Sequence, residues 1–534
     1  GNGTLGGVVN VGMNGALGGS GTLNGAVTID GTLAAGNSPG TLTFNNDLTL
    51  NAGSTSVFEL NNPGVAGGAG NDLVRVNGAL ALDGTLDARV AAAGYYRLFE
   101  YVGPQSGAFV DGTVTGRGGF AAADPNNPDI RYDIPGQVNL SVLGTGQTMQ
   151  FWDGAGTAAN GAVDGGSGVW QSFATNWTDA TGSANAGWGG SVGVFAGSAG
   201  TVTVQGAQVF DTLQFSTDDY RIQGDALSIG ASGGGTFNID GGVTTTVASI
   251  IEDGAGKVVR KAGGGTLVLS GANTHSGGVD LLGGVLSVAS DQNLGAAPGG
   301  LRFDGGVLKV TGTGYTGTAR DILIGGDGGG FDIADADNTF SLSQDITGTG
   351  DLLKKGDGTL VLGGTNGYRD TLVEAGTLVG NAGSISGDIG NGATVVFDQA
   401  GDASFSGNIG SLNGTEGAMI KRGAGVLTLS GASTLGWSVD AGGLVTDAGR
   451  FAGDVDIASG ASLNFNQNTA TNYAGVLSGA GGFSVSGSGT VTLTGDSSAF
   501  TGLTSFSNGT LIVGTAAGGA LGGSIMLGPD SQIG

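Results

Sequence analysis

Short runs in which apolar and polar residues alternate fill this chain from end to end. TLTFNNDLTL (41–50), TVTVQG (201–206) and TLVLSG (266–271) are typical, with Gly, Asn, Asp and Ser separating one run from the next. Alternation with a period of two puts every second side chain on a buried face and its neighbours in solvent, as in a β-strand half covered by a core. No long stretch carries a helical apolar period. Short strands closed by glycine turns, repeated this often, fit a sandwich, a barrel or a β-solenoid. Internal repetition decides among the three.

One unit occurs four times: KAGGGTLVLSGANTHSGG (261–278), KKGDGTLVLGGTNGYRD (354–370), KRGAGVLTLSGASTLGW (421–437) and a degenerate VSGSGTVTLTGDSSAFTG (485–502). A second short strand follows each copy: GGVLSV (283–288), AGTLVG (375–380), AGGLVT (441–446) and NGTLIVG (508–514). Leu267 and Leu286 are 19 positions apart, Leu360 and Leu378 18, Leu427 and Leu444 17, and Val491 and Leu511 20. That is one turn of a solenoid. The second strand is therefore expected to stack on the first, with inward Leu and Val in ladders and successive coils about 4.8 Å apart. The copies begin at uneven intervals (Lys261, Lys354, Lys421), so divergent coils lie between them, whereas a propeller needs a steadier period. The expected fold is all-β, a parallel β-helix or β-solenoid.

Composition narrows this further. The chain has 534 residues, of which 117 are Gly and none is Cys. Collagen would need Gly at every third position, and that period is absent. Disorder needs few apolar and many charged residues, but 39% are hydrophobic and 12% charged, so the chain has the means to bury a core. Of the acids 39 are Asp and 5 are Glu. Asp bonds its local backbone and favours turns, whereas Glu favours helices. A net charge of -26 argues against nucleic acid or an anionic membrane as a partner. The lack of Cys excludes disulfides, thiolate metal sites and cysteine nucleophiles, and fits export through an oxidising compartment. No stretch has the length of a transmembrane helix, no signal peptide is visible, and Gly1 falls in mid-pattern. The chain reads as a mature fragment or a piece of something longer.

The K-x-G-x-G-T-L-x-L-S-G-A-N-T core with its following G-T-L strand resembles the autotransporter-associated β-strand repeat, also called the passenger-associated transport repeat, over roughly 250–514. The resemblance implies a right-handed parallel β-helix, secreted by a Gram-negative bacterium through a C-terminal β-barrel and exposed on the cell surface. Amphipathic barrel strands with aromatic girdles are lacking, so an outer-membrane β-barrel translocator is expected elsewhere in the full-length chain. FWDGAG (151–156), GGSGVW (165–170) and NWTD (176–179) resemble the opening of such a repeat region. GTLNGAVTIDGTLAAGNSPGTLTF (21–44) and NDLVRVNGALALDGTLDARV (71–90) resemble late passenger sequence. Three modules are expected: 1–147, 148–245 and 246–534. Closing material precedes opening material, and LGGSIMLGPDSQIG (521–534) joined to GNGTLGGVVNVG (1–12) gives a continuous phrase. The chain therefore reads as one period of a tandem array whose natural unit starts near Phe151.

Each candidate site has a structural reading beside the chemical one. His275, the single histidine, sits where other copies have Tyr368, Leu435 and, one place on, Phe500, so it reads as a bulky structural slot. GGAGNDLVR (67–75) fits a calcium-binding nonapeptide with Asp72 as ligand, but that site needs tandem copies, and an ordinary turn is favoured. The Asp run DIADADN (332–338) offers either a cation site or a solvated turn, and the turn is favoured. Trp152, Trp170, Trp177 and Trp188 fit a platform for a sugar or a protein interface, or a local cap or domain seam; the seam is favoured, and Trp437 stands apart. Lys261, Lys354 and Lys421 recur at one repeat position, as charge partners of an Asp or in a solvated turn. Ser38 in GNSPG lacks a nucleophile elbow. No catalytic, cofactor or metal site is expected.

The leading functional expectation is a structural extracellular rod or stalk of a bacterial surface protein, with end-to-end or lateral self-association. A dedicated adhesin for a host or bacterial surface ligand is the alternative. A polysaccharide-acting enzyme ranks third, on fold analogy alone.

Overall fold

The computed structural model describes the chain except residues 1–2, 37–38, 62–65, 69, 92–93, 117–128, 133–135, 144–146, 255, 507, 515–518, 529–530 and 534. It divides into two units, 1–288 with 292–299, and 289–291 with 300–534. Both are β-solenoids of parallel coils. Among the described residues the one helical element is a short 3-10 turn, Asp291–Leu294, and no helix is long and apolar enough to cross a membrane.

The first unit opens with three parallel sheets, each taking every third strand. Thr41–Phe44, Leu73–Val76 and Gly94–Tyr101 are neighbours in one. Leu48–Leu50 and Leu80–Leu82 pair in the second, and Thr55–Leu60 and Thr85–Val90 in the third. The stack ends with a change of direction, since Gln137–Val142 pairs antiparallel with both Gly94–Tyr101 and Asp129–Arg131. A second stack begins at Met149–Trp152, parallel to Val192–Phe195 and antiparallel to Trp177–Thr178. A buried polar joint links the two stacks. Arg97 Nη2 and Gln137 Nε2 donate to the two oxygens of Asp240, each at 2.5 Å. Gln214 Nε2 adds a third bond at 2.7 Å.

The alternation seen in the sequence becomes ladders. Val202, Ile222, Val247 and Leu269 lie in register on successive coils, all buried. In the second unit one column runs Phe340, Leu360, Leu378, Val395, Met419, Trp437, Val455 and Leu477, again buried throughout. Four stacked pairs set by repeat spacing occur residue for residue: Leu267 on Leu286, Leu360 on Leu378, Leu427 on Leu444 and Val491 on Leu511. Turn acids and amides tie coil to coil as well. Asp370 Oδ1 accepts the Asp388 amide, Asp388 Oδ1 the Asn408 amide, and Asn408 Oδ1 the Ala432 amide, at 2.7–3.1 Å.

The repeats do not stack in one column. The lysine strand of the third copy (Ala418–Arg422) lies in the same sheet as the leucine strand of the second (Thr359–Leu362). The first strand of the fourth (Gly482–Ser486) shares a sheet with the leucine strand of the third (Val426–Leu429). Within the second unit each repeat is a two-strand corner, and the third and fourth are each placed one face further round than the copy before.

Candidate functional site

The repeat corner holds the most specific chemistry in the molecule. Its lysine lies on the inward parity of its strand, two residues after a buried Val259, Leu352 or Met419. Lys261 stacks between Phe237 and Leu281, Lys354 between Phe331 and Val373, and Lys421 between Phe397 and Val439. All three are fully buried. The stem continues the apolar ladder while Nζ reaches three backbone carbonyls. Lys261 Nζ donates to Ala262 O, Gly263 O and Gly283 O at 2.8–3.1 Å. Lys354 Nζ donates to Lys355 O, Gly356 O and Ala375 O at 2.7–3.0 Å. Lys421 Nζ donates to Arg422 O, Gly423 O and Ala441 O at 2.6–3.1 Å. The expectation of a solvated turn is corrected, since each lysine is buried in a carbonyl cage, and the expected Asp charge partner acts at a distance and not through a direct bond. Asp240 beside Lys261, Asp332 and Asp357 beside Lys354, and Asp398 beside Lys421 act through their fields alone.

Burial pushes Lys261 down to about 7 and Lys354 down to about 8, and moves Lys421 the same way, against those carboxylates. The cage opposes the push. An ammonium has three donors, and each meets a carbonyl, whereas a neutral amine would leave one acceptor unmet.

The glycines of K-x-G-x-G make the cage compact. Gly263, Gly356 and Gly423 have φ of 75, 72 and 76°, where L side chains are strained. A Cβ there would lie 2.1–2.5 Å from Ile239 O, Asp332 Oδ1 or Gln399 O of the coil before.

A second clamp lies twelve residues after the lysine and escaped sequence reasoning. Asn273 Oδ1 accepts the Ile251 amide of the preceding coil at 2.8 Å, and Nδ2 donates to Asn293 O of the next at 2.6 Å. Asn366 repeats this with Ile346 N at 2.7 Å and Ser384 O at 2.6 Å. Recurrence of Asn at one offset in two copies was its available signal. The third and fourth copies carry Ser433, which accepts Trp437 Nε1, and Ser497, which accepts the Leu477 amide.

The other candidates fall into place around this. His275, Tyr368, Leu435 and Phe500 are all buried. Asp72 gives Oδ1 to the Gly40 amide at 2.9 Å and Oδ2 to the Glu59 amide at 2.7 Å. Burial raises it to about 6 against those two bonds, with the Glu59 charge adding to the rise. Ala69 of the same nonapeptide, like Ser38, lies outside the described residues. In 332–338, Asp335 caps the turn through the amide of Asp337, and Asn338 Nδ2 bonds Gly312 O and Tyr315 O.

Trp152, Trp170 and Trp177 are fully buried, and Trp188 is half-buried. Their rings pack edge to face and tilted, with centroids 4.3–5.3 Å apart, against Phe195. They fill the first coil of the second stack, so the three buried indoles offer no face to a sugar. Trp437 is buried in its own ladder beside Phe397. Next to this aromatic filling is a cavity of about 730 Å³. Phe151, Ala162, Thr181 and Ser216 line it, and none of its described lining residues is charged.

The passenger-associated-transport-repeat family matches residues 259–288, 352–379, 419–445 and 483–513, the four corners described above. A curated relative, "Adhesin BmaC autotransporter" from Brucella suis biovar 1 (strain 1330), is 39% identical over 405 residues, which is 71% of this chain. The chain is an autotransporter passenger segment. It spans 11% of the length of that relative. No solved structure matches. As passenger sequence it lies outside the cell, associated with the outer membrane.

Proposed function

We propose that this passenger segment is a non-catalytic extracellular scaffold, a β-solenoid stretch that carries adhesive surface outward from the cell. The observation that supports this best is where its unusual side chains go. The lysines, Asp72 and the repeat asparagines are spent on tying coil to coil. A translocating outer-membrane β-barrel in the full-length protein, and contact with further copies of itself, belong to the same proposal. So does the division at 1–147, 148–245 and 246–534.

A second reading is favoured by the uncharged cavity near Phe151. Its hydroxyl and small side chains suit a neutral glycan, which would make the segment itself adhesive, as the relative's name describes that protein.

One competition assay separates the two. Bacteria displaying the whole passenger are allowed to adhere to host cells in the presence of the purified, folded 534-residue chain. A scaffold leaves adhesion unchanged at saturating chain. Inhibition that is lost in Thr181→Arg and Ser216→Arg variants overturns the scaffold reading and assigns binding to the cavity.

A further inference from the structure

Inward leucines do not by themselves fix the register of a coil. In a Thr-Leu-Val-Leu run such as 266–269 or 359–362, a slip of one residue turns the apolar face outward, but a slip of two restores it. Ladders of interchangeable Leu and Val therefore tolerate the second error. A group that reads absolute position is needed.

We infer that Lys261, Lys354 and Lys421, with Asn273 and Asn366, lock the register of the coil that follows each repeat. The third acceptor of every cage belongs to that next coil: Gly283, Ala375 and Ala441. A two-residue slip moves this carbonyl by about 6.6 Å along the strand, beyond hydrogen-bond reach. It leaves a buried ammonium with an unmet donor, which is costly in an apolar interior. The asparagines read the same register, because their Nδ2 groups bond Asn293 O and Ser384 O of the following coil.

The fourth repeat is a built-in exception. Val485 occupies the lysine position, stacked between Phe465 and Phe506 and buried. An apolar side chain thus fits the slot. The lysine is not required to fill space, and burying its charge is unfavourable on its own. What it adds is discrimination between registers, the best-attested use of a buried polar group.

The chain has no cysteine, so engineered pairs report register without background. Val361 and Val379 face each other on paired strands, as do Thr359 and Thr377. A Val361→Cys/Val379→Cys pair closes in native register, where paired strands lie within disulfide range. A Val361→Cys/Thr377→Cys pair closes after a two-residue slip. The full chain is refolded from denaturant under oxidising conditions and the cross-links counted by mass spectrometry.

With Lys354 present, the slipped cross-link is expected at background. Lys354→Met, which keeps the stem and removes the ammonium, raises it severalfold, and adding Asn366→Ala raises it again. An unchanged slipped fraction in Lys354→Met overturns the inference. Should that variant fail to refold, the fourth repeat decides with its core intact, since Thr492 pairs with Ile512 and Thr490 with Thr510. A Thr492→Cys/Thr510→Cys pair is expected to slip more than Val361→Cys/Thr377→Cys does beside an intact Lys354. Equal or lower slippage at the fourth repeat also overturns the inference.

Discussion

Single residues in this solenoid act mainly by closing backbone bonds that stacking leaves open, and Asp72 shows the cost. Asp72 is 2% exposed, and its carboxylate accepts the Gly40 amide of the preceding coil and the Glu59 amide across the loop that leads into its own strand. Burial nevertheless raises it from 3.8 to about 6, so the neutral acid is the form the fold prefers. The corresponding stabilisation is complete below the unfolded value and is lost as pH rises through about 6. On its own, Asp72 makes the first unit less stable at pH 7 than at pH 4, by roughly 2 kcal/mol. Asp72→Asn removes this slope. It also leaves one of the two amides facing a donor, a pH-independent loss of about 1–3 kcal/mol. Denaturant unfolding of parent and variant should therefore show the parent's stability relative to the variant falling by roughly 2 kcal/mol between pH 4 and pH 7. A gap independent of pH refutes the assignment. Chelators should leave both curves unmoved, because amides occupy both carboxylate oxygens.

At the level of elements, much of the fold was legible because coil length sets which residues meet. Leu360 falls on Leu378, and Leu267 on Leu286, as their spacing requires. The lysines were misplaced because charge was weighed above parity. Val259-Arg260-Lys261 alternates buried, half-buried, buried, so the strand pattern read straight through the lysine puts it inside. The antiparallel closure at Gln137–Val142 left no mark, because alternation is the same whichever way a partner runs. The Trp-rich opening was legible as large side chains filling a local cap or seam, and its energetics follow from packing. Trp177 touches Trp152, Trp170, Trp188 and Phe195. Trp177→Ala should cost about 3–5 kcal/mol, as loss of a large core aromatic does. It should also remove near-ultraviolet circular dichroism from coupled indoles. Hydrogen exchange should rise across 149–195 while the repeats at 352–379 stay protected. A uniform rise would mean that the opening and the repeats unfold as one body.

For the molecule as a whole, the consequence of coil-on-coil stacking is that contacts are to nearest neighbours, so coils are removable units. An enzyme built on a cleft loses its geometry when any wall is deleted, but a solenoid loses length only, provided the cut is in phase. The pairing of Val455 with Leu477 defines one such coil in the second unit. Deleting 456–477 brings Leu444 onto Phe483, since Leu463 stacks between them and leaves with the deleted coil. The cages at Lys354 and Lys421 keep all their acceptors. This deletion should unfold cooperatively with a midpoint within a few degrees of the parent. Deleting 456–466 instead removes part of a coil, leaves Leu444 with no inward partner in phase, and should abolish cooperative unfolding. Calorimetry on the two deletions distinguishes a quasi-linear scaffold from a domain with a long-range core. If both are equally damaging, contacts beyond nearest-neighbour coils carry the fold. If the in-phase deletion alone survives, length is a quantity that selection can adjust coil by coil, as a surface scaffold requires.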